Sequence, residues 1–351
     1  MPSPYADEGL FRALLTKAVE GKASDIYMKA GQPPGARIRG EIVYFRTEKI
    51  TADDTTALAR FVITNPEVLA HLDQLKEYDA GYSVAGIGRF RVNVYRQRGS
   101  LAIVMRFIPY EIPELDSLGL PMPVTRELAQ RENGMVLVVG AAGTGKSTSV
   151  ASMIADLNAT RALHIVTIED PIEFLHRDKL SSVSQREVGI DTDSFATALR
   201  GALRQSPDVI FIGEIRDEMS MEIALRAAET GHLVLATLHT IDAIRTVNRM
   251  LALLQGEPDD NRTRIASCLQ GVIAQRLLTR ADGRGVALAA EVLVASQSVK
   301  ESIRRPENNP SLKSLMEKGA HPYGMQTFGM AVAQLLADGI IDTRVAEAAL
   351  G

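Results

Sequence analysis

The sequence predicts an α/β protein in which a parallel sheet lies between helices, preceded by a smaller α+β domain. Its 351 residues are about twice the length of a typical single domain, so we expect two domains. From about residue 124 onward, apolar segments of strand length alternate with helical patterns, which is typical of a parallel sheet covered on both faces. Before residue 110, a helix is followed by short strands with alternating polarity.

The N-terminal domain is predicted to cover residues 1–110. Apolar residues recur at helical spacing over residues 9–19, which indicates one helix with a buried face. The predicted strands of this domain lie at 36–39, 41–45, 88–94 and 101–108.

A proline-rich linker is predicted at residues 111–123. The stretch that begins at Pro109 and ends at Pro123 contains four prolines and repeated acidic residues. Prolines this dense continue neither a helix nor a central strand, so the stretch marks a domain boundary.

The second domain is predicted to cover residues 124–351. The apolar segments that predict its strands lie at 135–139, 164–168, 209–212 and 232–238. The helical patterns between them lie at 146–157, 194–205 and 219–230. From Arg262 onward the pattern predicts a mostly helical C-terminal part.

Composition excludes several classes of protein. The 39 lysines and arginines against 43 aspartates and glutamates give a net charge of −4, which argues against a strongly basic nucleic-acid or membrane-surface binder. A single cysteine, Cys268, excludes an internal disulfide and a four-cysteine zinc site, so we expect a reducing compartment. No signal peptide or membrane-spanning apolar run is visible, so we expect a cytosolic protein without a transmembrane segment.

The strongest motif is GAAGTGKS, a complete G-x-x-x-x-G-K-S between a predicted strand and a predicted helix. Glycines let backbone N–H groups surround phosphates, and the helix N-terminus adds partial positive charge. The lysine can reach the β- and γ-phosphates, and the serine hydroxyl can bind Mg²⁺. A glycine-rich turn that binds nothing is the alternative, which the complete motif disfavours. The predicted nucleotide-binding residues are Gly140, Ala141, Ala142, Gly143, Thr144, Gly145, Lys146, Ser147 and Thr148.

Acidic residues follow two of the predicted strands. Glu169, Asp170 and Glu173 follow one, and Glu214 follows the other. Because the carboxyl ends of parallel strands share one edge of the sheet, we expect these carboxylates near the P-loop. There a carboxylate can orient water for attack on the γ-phosphate, or hold Mg²⁺ through its waters. Each one alone is more often a solvated strand end.

Two histidines, His232 and His239, bracket the fourth strand. Their separation of seven is odd (239 − 232 = 7), which places them on opposite faces of a strand and disfavours a shared metal site. One could face the phosphates while the other makes a structural contact, and a lone strand histidine is often only structural.

Five arginines lie between residues 88 and 109, including Arg91 and Arg106. A turn at Gly99 and Ser100 allows neighbouring strands to bring these two guanidinium groups to one edge. They could contact a nucleotide held by another domain or subunit, since arginine binds phosphate with two parallel hydrogen bonds. A solvated strand surface is the simpler interpretation on composition alone.

In their order and spacing, these motifs resemble the PilT/PilU family of type IV pilus twitching-motility (retraction) ATPases, within the secretion ATPase superfamily. The resemblance runs from KASDIYMKAG through GRFRVN, the P-loop, TIEDPIEF, QREVG, GEIRD and ETGHLVLATLHT to GMQT. It implies a PAS-like N-terminal domain, a RecA-like ATPase core, a hexameric ring, and ATP with Mg²⁺ as ligands. The segments QREVGIDTDSF, LRQSPDVI and SLKSLMEKG are closer to the PilU type. PilT-type proteins have AIRNLIR where this chain has VKESIRR followed by Pro306.

The resemblance also implies roles for individual residues. Lys146 and Ser147 match the Walker A pair, with Ser147 as the Mg²⁺ ligand. The remaining matches are Glu214 to the Walker B glutamate, Glu173 to the acidic box, His232 and His239 to the histidine box, and Arg91 and Arg106 to the arginines directed at nucleotide.

The function that the resemblance implies is a motor that retracts pili by removing their subunits. Its implied partners are further copies of the chain, an inner-membrane pilus platform protein at the cytoplasmic face and a paralogous retraction ATPase, with no nucleic acid. A pilus-assembly or type II secretion ATPase is one alternative, although such enzymes generally carry a tetracysteine zinc element. A nucleic-acid translocase is disfavoured by the acidic charge and the absence of tryptophan. A nucleotide-binding scaffold or accessory ring without motor activity of its own is disfavoured by the intact Glu214 and Glu173.

Overall fold

A computed structural model describes residues 4–38, 40–108 and 111–350. It divides the chain into two compact units, Met1–Glu111 and Ile112–Gly351. Arg39, at the end of a predicted strand, and Pro109 and Tyr110, at the predicted boundary, lie outside the described residues.

The first unit is a six-stranded antiparallel sheet with helices. Its helices are α1 (Glu8–Glu20), α2 (Ala52–Val62) and α3 (Pro66–Ala70). Its strands are β1 (Ala23–Lys29), β2 (Gly35–Ile38), β3 (Glu41–Tyr44), β4 (Glu77–Val84), β5 (Gly88–Gln97) and β6 (Ser100–Ile108). They lie in the order β3-β2-β1-β6-β5-β4.

Local sequence explains the elements of this unit. The Asp7 side chain caps α1 by accepting a hydrogen bond from the Gly9 N–H, and the helix buries Phe11, Leu14 and Leu15. Strand β5 alternates between buried apolar residues and exposed or half-buried polar residues, so one face of the sheet packs on the core and the other carries polar side chains.

The second unit contains a seven-stranded sheet. Its strands are β7 (Gly134–Val139), β8 (His164–Glu169), β9 (Ser182–Glu187), β10 (Val209–Ile212), β11 (Leu233–Leu238), β12 (Leu269–Thr279) and β13 (Val286–Val294). They lie in the order β13-β12-β7-β11-β10-β8-β9, and all neighbours are parallel except the antiparallel pair β12–β13. Every residue of β7, β10 and β11 is buried, as expected for strands covered on both faces.

Helices separate and cover these strands. They are α4 (Val124–Ala129), α5 (Lys146–Thr160), α6 (Phe195–Ala202), α7 (Glu218–Glu229), α8 (Ala243–Leu253), α9 (Pro258–Cys268), α10 (Gln297–Arg304), α11 (Leu312–Lys318), α12 (Phe328–Ala337) and α13 (Thr343–Leu350). The predicted α/β class with a central parallel sheet is confirmed. Leu115 and Leu120, within the predicted linker, are buried in the core of this unit.

One prediction about the second unit is wrong in part. The chain after Arg262 contains β12 and β13, a long antiparallel pair that the sequence did not predict, whereas the regular elements after β13 are helical as expected. The apolar residues of β12 include Leu269, Val272 and Ile273, a spacing that also fits a helix. Pairing with β7, far away in sequence, determines the strand. Among the described residues, no helix is both long enough and apolar enough to cross a membrane.

Candidate functional site

The glycine-rich loop connects β7 to α5 and depends on two special glycine conformations. Gly140 has φ 152°, and a Cβ atom there would lie 2.6 Å from the Gln275 carbonyl oxygen. Gly145 has φ 86° and is the N-cap of α5. Glycine is required at both positions, since one lacks space for a side chain and the other has a left-handed backbone. The loop therefore delivers Lys146, Ser147 and Thr148 into the first turn of α5.

Lys146 is 7% exposed, and its ammonium group is bound to its own loop. Its Nζ atom donates to the carbonyl oxygens of Gly140 and Ala141, each at 2.9 Å. Burial lowers the pKa of Lys146, and the negative charges of Glu214 and Glu173 oppose that shift. The lysine thus lies among carboxylates from the ends of two strands, β8 and β10, as the sequence analysis expected.

A continuous row of polar side chains extends from Lys146. The Nδ1 atom of His239 lies 3.3 Å from Lys146 Nζ, and its Nε2 lies 3.2 Å from Glu214 Oε1. Because ammonium only donates and carboxylate only accepts, these neighbours favour the neutral tautomer with the proton on Nε2. His239 therefore links the P-loop lysine to the glutamate at the end of β10.

Arg216 holds the other oxygen of Glu214. Its Nε donates to Glu214 Oε2 at 2.8 Å, and its Nη1 lies 3.4 Å from Asp170 Oδ2. The Glu214 side chain is only 18% exposed, so both of its oxygens are held in a partly desolvated place. A carboxylate fixed in this way can act on one oriented water molecule.

The acidic segment that begins at the last residue of β8 contains carboxylates in two different environments. Glu169 is 7% exposed and accepts hydrogen bonds from the Thr167 hydroxyl at 2.6 Å and the Gln185 amide at 3.1 Å. Burial raises the pKa of Glu169 to about 7, while these hydrogen bonds and the Glu173 backbone N–H oppose the shift. The Glu173 side chain is exposed, so it is the member of the pair that is available to a ligand.

The structure corrects the prediction for His232. It precedes β11, whereas His239 follows it, so the two histidines lie at opposite ends of the strand instead of on its two faces. The ring Nδ1 of His232 is 3.0 Å from the Ala227 carbonyl oxygen, at the amino end of the sheet. His239 alone reaches the P-loop of its own chain, and a catalytic role for His232 stays a prediction.

The two predicted arginines lie in the first unit, directly opposite each other. Arg91 on β5 is the Cα partner of Arg106 on β6, which confirms the expectation that neighbouring strands bring them together. Both side chains are exposed, and Arg106 Nε donates to Asp25 Oδ1 at 2.9 Å.

Three residues near these groups were missed by the sequence analysis. Arg216 and Asp25 lie inside the quoted motifs GEIRD and KASDIYMKAG, and this position within a motif was the signal available for both. Gln275 had no such signal: it is fully buried on β12, and its Nε2 donates to Ser149 Oγ at 2.6 Å.

A magnesium ion could be held here only if the phosphates of a bound nucleotide, together with water, supplied most of its ligands. The described residues contain no group of three or more histidine, cysteine, aspartate or glutamate side chains that could hold a metal. Mg²⁺ in nucleotide sites commonly uses one or two protein oxygens, with phosphates and waters completing the octahedron. A single hydroxyl at Ser147, in the first turn of α5, fits that requirement.

Comparison with known proteins decides the family. The family model described as "Type II/IV secretion system protein" matches residues 7–319. This chain belongs to the type II/IV secretion system protein family. Over 335 residues it is 39% identical to the type IV pilus ATPase PilU of Pseudomonas aeruginosa, covering 94% of this chain and 86% of PilU.

Other members of the secretion system family support the same relationship. PilT of Pseudomonas aeruginosa, a type IV pilus retraction ATPase, is 37% identical over 93% of this chain and 94% of its own length. A crystal structure of the pilus retraction motor PilT with bound ADP superposes with a TM-score of 0.87 and 42% identity, covering 96% and 95% of the two chains. The resemblance to the PilT/PilU family is confirmed, and with it the RecA-like type of core.

Proposed function

We propose that this chain is an ATP-hydrolysing motor that powers retraction of type IV pili. The contact row from Lys146 through His239 to Glu214 carries the proposal, because it joins a phosphate-binding loop to a held carboxylate. One relative named as a type IV pilus ATPase and one named as a type IV pilus retraction ATPase, each similar over more than nine-tenths of the chain, support the assignment to pili.

Lys146 and Glu214 divide the chemistry between them. On binding ATP, Lys146 exchanges its loop carbonyls for β- and γ-phosphate oxygens, and the N-terminus of α5 adds partial positive charge. Glu214 orients the attacking water, while Arg216 and His239 keep the carboxylate in place. Ser147 would hold Mg²⁺, which when bound neutralises charge on the same phosphates.

The remaining predicted residues complete the site in this proposal. Glu173 is an exposed carboxylate whose charge acts on Lys146 together with that of the half-buried Glu214. Arg91 and Arg106 neutralise charge on the transferring phosphoryl group when they reach it. Rotation of a PAS-like domain (residues 1–110) about the linker (residues 111–123) against the ATPase domain (residues 124–351) then couples hydrolysis to movement.

The proposal includes an assembly and a location. Copies of the chain form a hexameric ring at the cytoplasmic face of the inner membrane, against the pilus platform protein. A paralogous retraction ATPase acts with it, and no nucleic acid takes part.

The direction of the motor is tested by pili on living cells. Removing the Lys146 charge by Lys146→Ala should abolish hydrolysis. A strain that carries only this allele should therefore display more surface pili than the parent when counted by electron microscopy. The control Lys318→Ala removes an exposed lysine of α11 and should leave pilus number unchanged. Fewer or no pili would indicate an assembly ATPase instead, and hydrolysis by Lys146→Ala within about threefold of the parent rate would contradict the site.

A further inference from the structure

Four charged side chains form a row across the sheet of the first unit. Arg37 on β2, Asp25 on β1, Arg106 on β6 and Arg91 on β5 are successive Cα partners in neighbouring strands. Directly paired residues share a face of the sheet, so one carboxylate lies in line with three guanidinium groups. The row carries a net charge of +2.

The direct cross-strand pairing of Arg91 with Arg106 is unfavourable unless a further anion lies beside the two guanidinium groups. Like charges directly opposite each other in a sheet destabilise it. Among the described residues, neither arginine forms an ion pair with any carboxylate except that of Asp25, which is bound to Arg106. Arg106 keeps 69% of its side chain exposed, whereas the Asp25 side chain is only 8% exposed. The pair thus combines a buried anchor with a solvent-facing cation.

Asp25 is itself held from three sides. Its Oδ1 accepts from Arg106 Nε at 2.9 Å, and its Oδ2 accepts from the Ser24 hydroxyl at 2.8 Å. Arg37 Nε lies 3.7 Å from the same Oδ2. The β1–β2 register is irregular between Ala23 and Asp25, directly before this contact.

Asp25 contacts only one nitrogen of the Arg106 guanidinium group, and the choice of that nitrogen determines which others remain available to a ligand. Among the described residues, Arg106 makes its hydrogen bond through Nε, which leaves the two terminal nitrogens, Nη1 and Nη2, for another partner. Two parallel hydrogen bonds from one guanidinium edge are the geometry in which arginine binds phosphate.

We infer that Asp25 is a positioning residue that holds Arg106 ready to bind a polyphosphate. This inference rests on the proposed function, in which Arg106 reaches the nucleotide. An untethered arginine side chain samples many rotamers, and Asp25 removes that freedom before the phosphate arrives. Asp25 makes no contact with the nucleotide in this proposal and acts only through Arg106.

A double-mutant cycle on the full-length protein tests the inference. ATP turnover is measured for Asp25→Ala, Arg106→Ala and the double variant, with kcat and KM separated. We expect Asp25→Ala to lower kcat by about tenfold to 10²-fold, the scale of a misplaced group, with little change in KM. In the double variant the loss should equal that of Arg106→Ala alone, because Asp25 has nothing left to position.

Controls separate positioning from folding. Asp25→Asn keeps an oxygen acceptor for Nε and should retain more activity than Asp25→Ala, and it serves as the second variant if the alanine form does not fold. Asp79→Ala removes an exposed carboxylate of the same sheet that pairs with Asn93 and should leave kcat unchanged. Equal kcat in Asp25→Ala and the parent, or losses that multiply in the double variant, would overturn the inference. If Arg106→Ala itself hydrolyses ATP like the parent, the failure lies in the proposed role of Arg106.

Discussion

Glu214 is held at both oxygens, and its charge can be removed without changing its shape. Glu214→Gln should leave ATP affinity nearly intact, because the proposed phosphate contacts are made by Lys146 and the P-loop. Turnover should fall by about 10²-fold, the scale of a lost general base or water-orienting group. Nucleotide binding by calorimetry and phosphate release measure the two effects separately.

The control for this change is Glu257→Gln, which neutralises an exposed carboxylate in the same unit. Its turnover should match that of the parent protein. If Glu214→Gln weakens binding and turnover by equal factors, the carboxylate anchors the ligand instead of orienting water.

Glu169 gives the protein a pH-dependent stability of unusual sign. Burial raises its pKa to about 7 in the folded chain, above the value of 4.5 for a free glutamate. The folded protein therefore binds more protons than the unfolded one between these values, so stability falls as pH rises through that window. The full penalty, approached only well above pH 7, is on the order of 3 kcal/mol.

Replacing Glu169 by glutamine should remove this dependence, because glutamine imitates the protonated carboxyl group. Urea unfolding between pH 5 and 8 measures it. The parent should lose stability relative to Glu169→Gln as pH rises, and a difference that is constant with pH would contradict the raised pKa.

Helices α7 and α9 are joined by one arginine. Arg264 on α9 donates to Glu222 at 2.8 and 3.0 Å, and to Glu229 at 2.7 and 3.3 Å, both on α7. These contacts raise the pKa of Arg264 and, through Arg264, lower the pKa of Glu222. The two carboxylates are about one-third exposed, so solvent screening reduces the contribution of these ion pairs to the free energy of unfolding.

Arg264→Ala should therefore destabilise the protein by about 1 kcal/mol, measured by urea unfolding. The effect should shrink at high salt, since screening already weakens these pairs in the parent. Arg226→Ala is the matched control: Arg226 reaches Glu222 only at 3.8 Å and is 67% exposed, so we expect little change. Equal losses of unfolding free energy in Arg264→Ala and Arg226→Ala would show that the contacts of Arg264 stabilise the protein no more than an exposed ion pair does.

The elements that the sequence predicted are those with strong local signals. Strands β7, β10 and β11 are uninterrupted apolar segments, and α5 follows a complete phosphate-loop motif. Strand β9 is polar and lies at a sheet edge, so it has no apolar pattern to detect. Strand β12 has apolar spacing that also fits a helix, and only its pairing with β7 decides between them.

The site was predictable in its residue types but not in its connections. Motif order indicated Lys146, Glu214 and His239, whereas the contacts that join them depend on β7, β10 and β11 lying side by side. Gln275 enters beneath the P-loop from β12, and no local pattern marks a buried glutamine. Long-range pairing of strands determines such contacts, so one sequence cannot supply them.

At the scale of the whole molecule, the two predicted arginines and the phosphate loop belong to different units of the chain. Arg91 and Arg106 belong to the unit Met1–Glu111, whereas Lys146 belongs to the unit Ile112–Gly351. An arginine neutralises the transferring phosphoryl group only while it is held against it. In the proposed ring, hydrolysis would therefore depend on which subunit supplies the arginines, and the two arrangements predict different results for mixed assemblies.

Mixing two inactive proteins distinguishes these arrangements. The Arg91→Ala, Arg106→Ala protein keeps its P-loop, and the Lys146→Ala protein keeps its arginines, and we expect each alone to lose most of its ATP turnover. If the arginines act across a subunit interface, some interfaces of a mixed ring join an intact P-loop to intact arginines, so phosphate release should return on mixing. If they act within one subunit, no chain contains both parts and mixing restores nothing. A control mixture with Lys318→Ala in place of Lys146→Ala contains chains with both parts intact, so it should be active in either arrangement and shows that the double arginine variant does not inhibit its neighbours. Turnover like the parent's in the double arginine variant by itself would show that the arginines form only a solvated surface.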